Sequence, residues 1–95
     1  MANYKISQVA KDDLIRIHQF GFENFGVIQA DRYFENFFQQ FELIAQNPLM
    51  FESVDFIAPG YRRCPCGVDS IFFRISNGQV EIMSIIGRQD LSELF

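Results

Sequence analysis

Asn77-Gly78 lies between Ser70-Ile71-Phe72-Phe73-Arg74-Ile75 and Val80-Glu81-Ile82-Met83-Ser84-Ile85-Ile86, and such a pair in that setting is the strongest short-range signal of a β-hairpin. Both residues of the tight turn that joins two twisted antiparallel strands must take positive φ, which Asn and Gly accept most readily. Flanked by β-branched and aromatic residues, the pair predicts a hairpin, and the turn sets its register. With Ser76 facing Gln79, Ile75 falls opposite Val80, Phe73 opposite Ile82 and Ile71 opposite Ser84. The other face carries Arg74 opposite Glu81 and Phe72 opposite Met83. A cross-strand ion pair of this kind contributes about 0.2–1 kcal/mol. It also opposes a one-residue slip, which would turn both charges into the core.

Upstream elements must cover one face of that hairpin. Ser7 caps the segment that follows the short strand Tyr4-Lys5-Ile6-Ser7. From about Gln8 to Asn24, Ala10, Leu14, Ile17 and Gly21 recur at helical spacing, and Asp12 and Asp13 fall in the first turns, where the helix dipole favours acids. Phe25-Gly26 breaks this helix. A second runs from about Val27 to Gln46, with Ala30, Phe34, Phe37, Phe38, Phe41, Ile44 and Ala45 along one side. Asn47-Pro48 ends it, because a residue before proline is pushed out of the α region. So short a link makes the helices an antiparallel hairpin. Phe51 to Ala58 is a weaker strand candidate, Pro59-Gly60 a turn, and Tyr61 to Cys66 a further strand that Pro65 bulges or ends.

The result is an α+β two-layer sandwich of order β-α-α-β-β-β, a helical hairpin on a mainly antiparallel sheet. The first strand is expected to pair with an inner strand of the C-terminal meander. Ninety-five residues, 48% of them hydrophobic, suit a single domain spanning 1–95 with one core. No apolar run approaches membrane-spanning length and no leader pattern opens the chain, so the expected compartment is the cytoplasm.

Chemistry leaves few marks. Cys64 and Cys66 point to one face of their strand, too few for a structural zinc site and too close for an unstrained disulfide, and they read as buried free thiols. His18, the one histidine, sits on the flank of a helix with no nucleophile nearby in sequence. Asp12, Asp13, Asp31 and Glu35 read as solvated helix faces. There is no phosphate loop and no metal-ligand cluster, so neither cofactor nor metal is expected. A net charge of −4 weighs against a life spent gripping phosphate backbones, although Arg62, Arg63, Arg74 and Arg88 gather in the sheet and its exit. Adjacent strand residues face opposite ways, so one of Arg62 and Arg63 shares the solvent face with Arg74, where Glu81 or Asp69 can pair it.

Several stretches, taken in order, resemble ParE-type toxins of the RelE/ParE superfamily. They are Tyr4-Lys5-Ile6-Ser7, Ala10-Lys11-Asp12-Asp13-Leu14 with Ile17, Phe25-Gly26 with Gln29-Ala30 and Tyr33, Ile44-Ala45-Gln46-Asn47-Pro48, Gly60-Tyr61-Arg62-Arg63, and Ser70-Ile71-Phe72-Phe73-Arg74-Ile75. The resemblance covers nearly the whole chain and implies the same sandwich. In one departure, Ile85-Ile86-Gly87-Arg88 stands where these sequences commonly end the last strand in an Ile-Leu-His type.

The superfamily holds two activities, and what the resemblance implies depends on the branch. ParE-like members poison DNA gyrase by binding it, whereas RelE-like members are basic, ribosome-dependent mRNA endonucleases. The acidic charge, the missing histidine and the lack of a Tyr after Tyr61 lean toward the first: a non-enzymatic toxin of a bacterial type II toxin-antitoxin pair, of the plasmid-stabilisation kind. The alternatives are an mRNA nuclease using Arg63, Arg74 and Arg88, and a decayed toxin kept for its partner. The resemblance also implies a ParD-like antitoxin, hence a hetero-oligomer, with no membrane and no direct nucleic-acid contact. Leu14, Ile15, Phe20, Phe22, Phe34, Phe37, Phe38 and Phe41 are the expected antitoxin-binding residues, since this much apolar surface exceeds what one sheet face covers. Arg62, Arg63, Arg74, Arg88, Leu91, Leu94 and Phe95 are the expected target contacts.

Overall fold

The computed structural model describes residues 3–87. Strand β1 (Tyr4–Ile6) leads into helices α1 (Gln8–Phe25) and α2 (Val27–Gln46). A 3₁₀ turn (Pro48–Met50) follows, then strands β2 (Glu52–Ser53), β3 (Arg62–Cys66), β4 (Asp69–Ser76) and β5 (Gln79–Gly87).

Ser7 fixes where α1 starts. Its Oγ accepts the Ala10 N–H at 3.1 Å, satisfying one of the amides a helix start leaves free. The same hydroxyl donates to the Met83 carbonyl at 2.8 Å, so the cap ties the helix to β5. Gly26 alone joins the helices. At φ 88° its N–H closes α1 on the Phe22 carbonyl at 3.1 Å, and its carbonyl opens α2 by accepting from Ala30 at 3.1 Å. Its backbone φ is one that L side chains rarely adopt. Gly21 then lets the helices approach, its Cα facing the Ala30 methyl. Asp12 and Asp13 fall past the first turn of α1. Asp13 serves the sheet instead: its Oδ2 accepts the Ile85 N–H at 2.9 Å.

The sheet has the order β1-β5-β4-β3-β2, with β1 parallel to β5 and every other pair antiparallel. β1 therefore joins the last strand of the meander rather than an inner one, which gives β5 neighbours on both sides and leaves β4 at the centre of the sheet. The hairpin pairs Ser76 with Gln79, Ile75 with Val80, Arg74 with Glu81 and Phe73 with Ile82, as Asn77-Gly78 predicts. Both turn residues have positive φ, 54° and 74°.

Beyond Phe73 the sequence-based register fails. Phe72 stands opposite Ser84 and Ile71 opposite Ile85, because Met83 is inserted as a β-bulge. Strict alternation from Ile82 would put Ser84 in the core and Ile85 outside. The extra residue lets Ile82 and Ile85, three apart, both face the helices, and both are fully buried.

The Phe51–Ala58 strand shrinks to Glu52–Ser53. Residues 54–61 form a compact turn instead, in which the Val54 carbonyl accepts from the amides of Ile57 and Ala58 and the Val54 N–H donates to Tyr61 at 2.8 Å. Pro65 stays within β3, paired with Ser70, beyond the part of β3 that β2 covers. A missing N–H is tolerated on such an open edge.

The core lies between the helical hairpin and one sheet face, built from Ala10, Leu14, Ile17, Phe37, Phe41 and Ile44 against Ile71, Phe73, Val80, Ile82 and Ile85. Cys64 and Cys66 complete it as buried free thiols. Phe72 and Val54 are also buried, outside that cluster.

Candidate functional site

Two surfaces carry the residues picked out in the sequence. On the sheet face turned away from the helices, Arg63, opposite Phe72, shares its side with Arg74. Neither guanidinium is free. Arg63 donates from Nε to Ser70 Oγ at 2.9 Å and from a terminal nitrogen to Glu52 Oε1 at 2.9 Å. Arg74 donates to Glu81 Oε1 at 3.0 Å. Arg62 turns to the other side, opposite Phe73, and donates to the Phe51 carbonyl at 2.6 Å. Thus Arg63 and Arg74 are brought together, Arg62 is separated from them, and Glu52 pairs Arg63 where Glu81 or Asp69 was expected. Arg88, Leu91, Leu94 and Phe95 lie outside the described residues.

The expected antitoxin stripe divides. Leu14, Phe37 and Phe41 are core residues, from 0 to 4% exposed, so no partner reaches them on the folded chain. Burial by the sheet accounts for them fully, and their place in a partner surface is corrected accordingly. Ile15, Phe20 and Phe22 are 54–64% exposed, while Phe34 and Phe38 are partly buried.

At about 100° per residue, Ile15 and Phe22 lie on the flank of α1 that also carries His18. His18 Nε2 meets Asp31 Oδ1 of α2 at 2.8 Å, and its ring stands edge-on to Phe34 at 5.2 Å. Phe34 stacks against Phe38 at 5.1 Å. The groove between the helices is therefore flanked by Phe22 and, toward the outward face of α1, Ile15, and by Phe34 and Phe38 of α2, and the His18–Asp31 hydrogen bond crosses it. Phe20 falls on the opposite flank of α1.

A third cluster went unread in the sequence. Along α2, Tyr33, Asn36 and Gln40 form a polar seam against β3. The Tyr33 hydroxyl stands 2.7 Å from Asp69 Oδ2 and 3.0 Å from the Cys66 carbonyl. Asn36 meets Cys66 Sγ at 3.6 Å, and Cys64 Sγ meets Gln40 Oε1 at 3.5 Å.

Burial holds the Tyr33 phenol protonated well above the ordinary range, and the hydrogen bond to Asp69 adds to this. Burial also raises both thiols to about 11, with Cys64 and Asp69 contributing at Cys66. Thiols so protonated are poor nucleophiles. Among the described residues no three His, Cys, Asp or Glu side chains are placed to hold a metal. Nothing in the sequence marked the seam: Gly67 bends beside it at φ 62°, close to the Tyr33 ring, which neither composition nor spacing reveals.

Residues 4–91 match the model of the ParE toxin of type II toxin-antitoxin systems, parDE. The chain is 34% identical over 86 residues to Toxin ParE1 of Caulobacter vibrioides, covering 90% of this chain and 88% of that protein. It is 27% identical to Toxin ParE1 of Mycobacterium tuberculosis over the same shares. It also superposes with a TM-score of 0.80 at 20% identity on a structure titled chromosomal ParDE TA system from P. aeruginosa, covering 92% of this chain and 96% of that one. At that identity the likeness speaks for the fold.

Proposed function

Since this chain belongs to the ParE toxin family of type II toxin-antitoxin systems, we propose that it acts by binding DNA gyrase and that a ParD-like antitoxin neutralises it. The observation that carries the reading is the state of the sheet-face arginines. Arg63 and Arg74 are each held by a carboxylate, at 2.9 and 3.0 Å. A guanidinium so paired has its charge partly offset by the carboxylate, which weakens its pull on a phosphate. The described sheet carries no histidine, and the carboxylates on this face, Glu52 and Glu81, are each engaged by an arginine, which leaves them weak general bases for RNA cleavage. Polar groups arranged this way instead present a fixed charge pattern to a protein surface, which favours specificity.

The antitoxin is assigned to the interhelical groove of Ile15, Phe22, Phe34 and Phe38. An amphipathic helix can lay apolar anchors into such a groove. Asp31, the acceptor of the His18 contact, stands exposed beside the groove, where a basic side chain of the partner can meet it.

The test pairs two assays on the purified chain: supercoiling by DNA gyrase, with accumulation of cleaved DNA followed, and mRNA integrity on translating ribosomes. Inhibited supercoiling with intact mRNA is expected. Cut mRNA with normal gyrase would replace this reading with a RelE-type one, and silence in both would leave a toxin that has lost its activity.

A further inference from the structure

The interhelical groove leaves Phe20 unexplained, 60% exposed on the far flank of α1. It belongs to a shallow open groove along that helix, lined by Asp12, Ile15, Arg16, Gln19, Phe20 and Glu23. Arg16, Gln19, Phe20 and Glu23 have the i, i+3, i+4, i+7 spacing of the four residues that frame a hole for a side chain of a facing helix. The set is self-complementary when the facing helix is another copy running antiparallel. A two-fold axis midway between Gln19 and Phe20 seats each Phe20 in the other copy's hole. It also sets Arg16 of each copy beside Glu23 of its partner.

Charge selects this orientation. A parallel pair would oppose Arg16 to Arg16 and Glu23 to Glu23, and like charges across an interface are strongly unfavourable. Both groups are free to respond. Arg16 is 56% exposed and holds Asp13 only at 3.5 Å, with the Ile85 carbonyl at 3.4 Å. Glu23 accepts from Gln19 at 3.4 Å.

We propose that two copies of this chain pair through the outward face of α1, antiparallel, with Phe20 as the central contact and Arg16–Glu23 pairs on either side of it. The proposal stands on α1 alone and does not rest on the antitoxin or gyrase reading. Sedimentation velocity of the full chain over a range of concentrations is expected to show a monomer–dimer equilibrium that added salt weakens. Arg16→Glu and Glu23→Arg each replace opposite charges by like ones, and each is expected to raise the dimer dissociation constant by about tenfold or more.

The two variants mixed together should form a heterodimer, and the double variant should self-associate like the parent. Glu23 is exposed and its hydrogen bond to Gln19 stays within its own helix, so Glu23→Arg keeps the test open should Arg16→Glu fold poorly. Circular dichroism checks each variant. A chain that stays monomeric at every concentration overturns the proposal, even where added antitoxin then covers Phe20. So does a dimer that ignores the charge reversals and forms no heterodimer.

Discussion

Tyr33 carries one hydroxyl hydrogen and stands within bonding distance of two acceptors, Asp69 Oδ2 and the Cys66 carbonyl. The turn that delivers both acceptors bends at Gly67, where an added Cβ would lie 2.6 Å from the Tyr33 ring at a φ of 62°. Gly67→Ala therefore meets a backbone penalty and a collision together, and is expected to cost about 2–4 kcal/mol in urea unfolding. Tyr33→Phe removes the clash partner's hydroxyl but leaves the buried Asp69 without its donor, for a loss of about 1–3 kcal/mol. The same cluster sets the response to alkali. Cys64 and Cys66 have folded pKa values near 11 against 9.0 for the free thiol. Between those values the unfolded chain has released protons that the folded chain still holds, so stability is full below about pH 9 and falls as pH rises toward 11. Tyr33, also raised, extends the fall above pH 10. Unfolding free energy measured across this range should decline less steeply for Cys66→Ala than for the parent.

At the scale of elements, the β4–β5 hairpin divides at Phe73 into a part the sequence dictates and a part it does not. Deleting Met83 removes the extra residue, so Ser84 follows Ile82 directly and the pairings Phe72–Ser84 and Ile71–Ile85 can persist in a regular ladder; what is lost is the bulged carbonyl that accepts from Ser7 Oγ. Loss of one such hydrogen bond costs about 0.5–1.5 kcal/mol, so the deletion is expected to lower the thermal unfolding midpoint while the transition stays cooperative. The turn was legible because Asn77-Gly78 acts locally, through backbone sterics, and the helices were legible because apolar spacing records which side is buried. The bulge was not. Nothing in Ile82-Met83-Ser84-Ile85 marks it, and it exists because two isoleucines three apart both gain by facing the helices. For a similar reason Phe51–Ala58 read as a strand: Val54 is buried, but through a compact turn rather than through alternation. The Arg74–Glu81 pair followed directly from the turn register, whereas Arg63–Glu52 depended on β2, the element the sequence described least well. Tyr33 and Asp69 lie 36 residues apart, and no local pattern joins them.

Across the whole molecule, the phenylalanines sort into those that hold the fold and those that remain available to a partner. Sequence spacing could not separate them, because a helix lying on a sheet and against another helix has a wide apolar arc, and only the assembled layers decide which part is covered. Phe37 is fully buried between α2 and the sheet, whereas Phe22, on the groove flank of α1, is 54% exposed. Phe37→Ala is therefore expected to cost about 3–5 kcal/mol of stability, and its effect on antitoxin binding should follow its loss of folded protein. Phe22→Asp should leave the unfolding midpoint nearly unchanged, since surface substitutions away from specific contacts shift stability by about 0.5 kcal/mol or less. It places a charge in the apolar groove, where a buried partner side chain would leave it desolvated and unpaired. If the groove receives the antitoxin helix, calorimetric titration of the folded Phe22→Asp chain with its cognate antitoxin should show affinity reduced by about two orders of magnitude, the loss expected at an interface anchor. Unchanged affinity would remove the groove from the partner surface and leave the sheet edge and the outward face of α1 as the places where an antitoxin could bind.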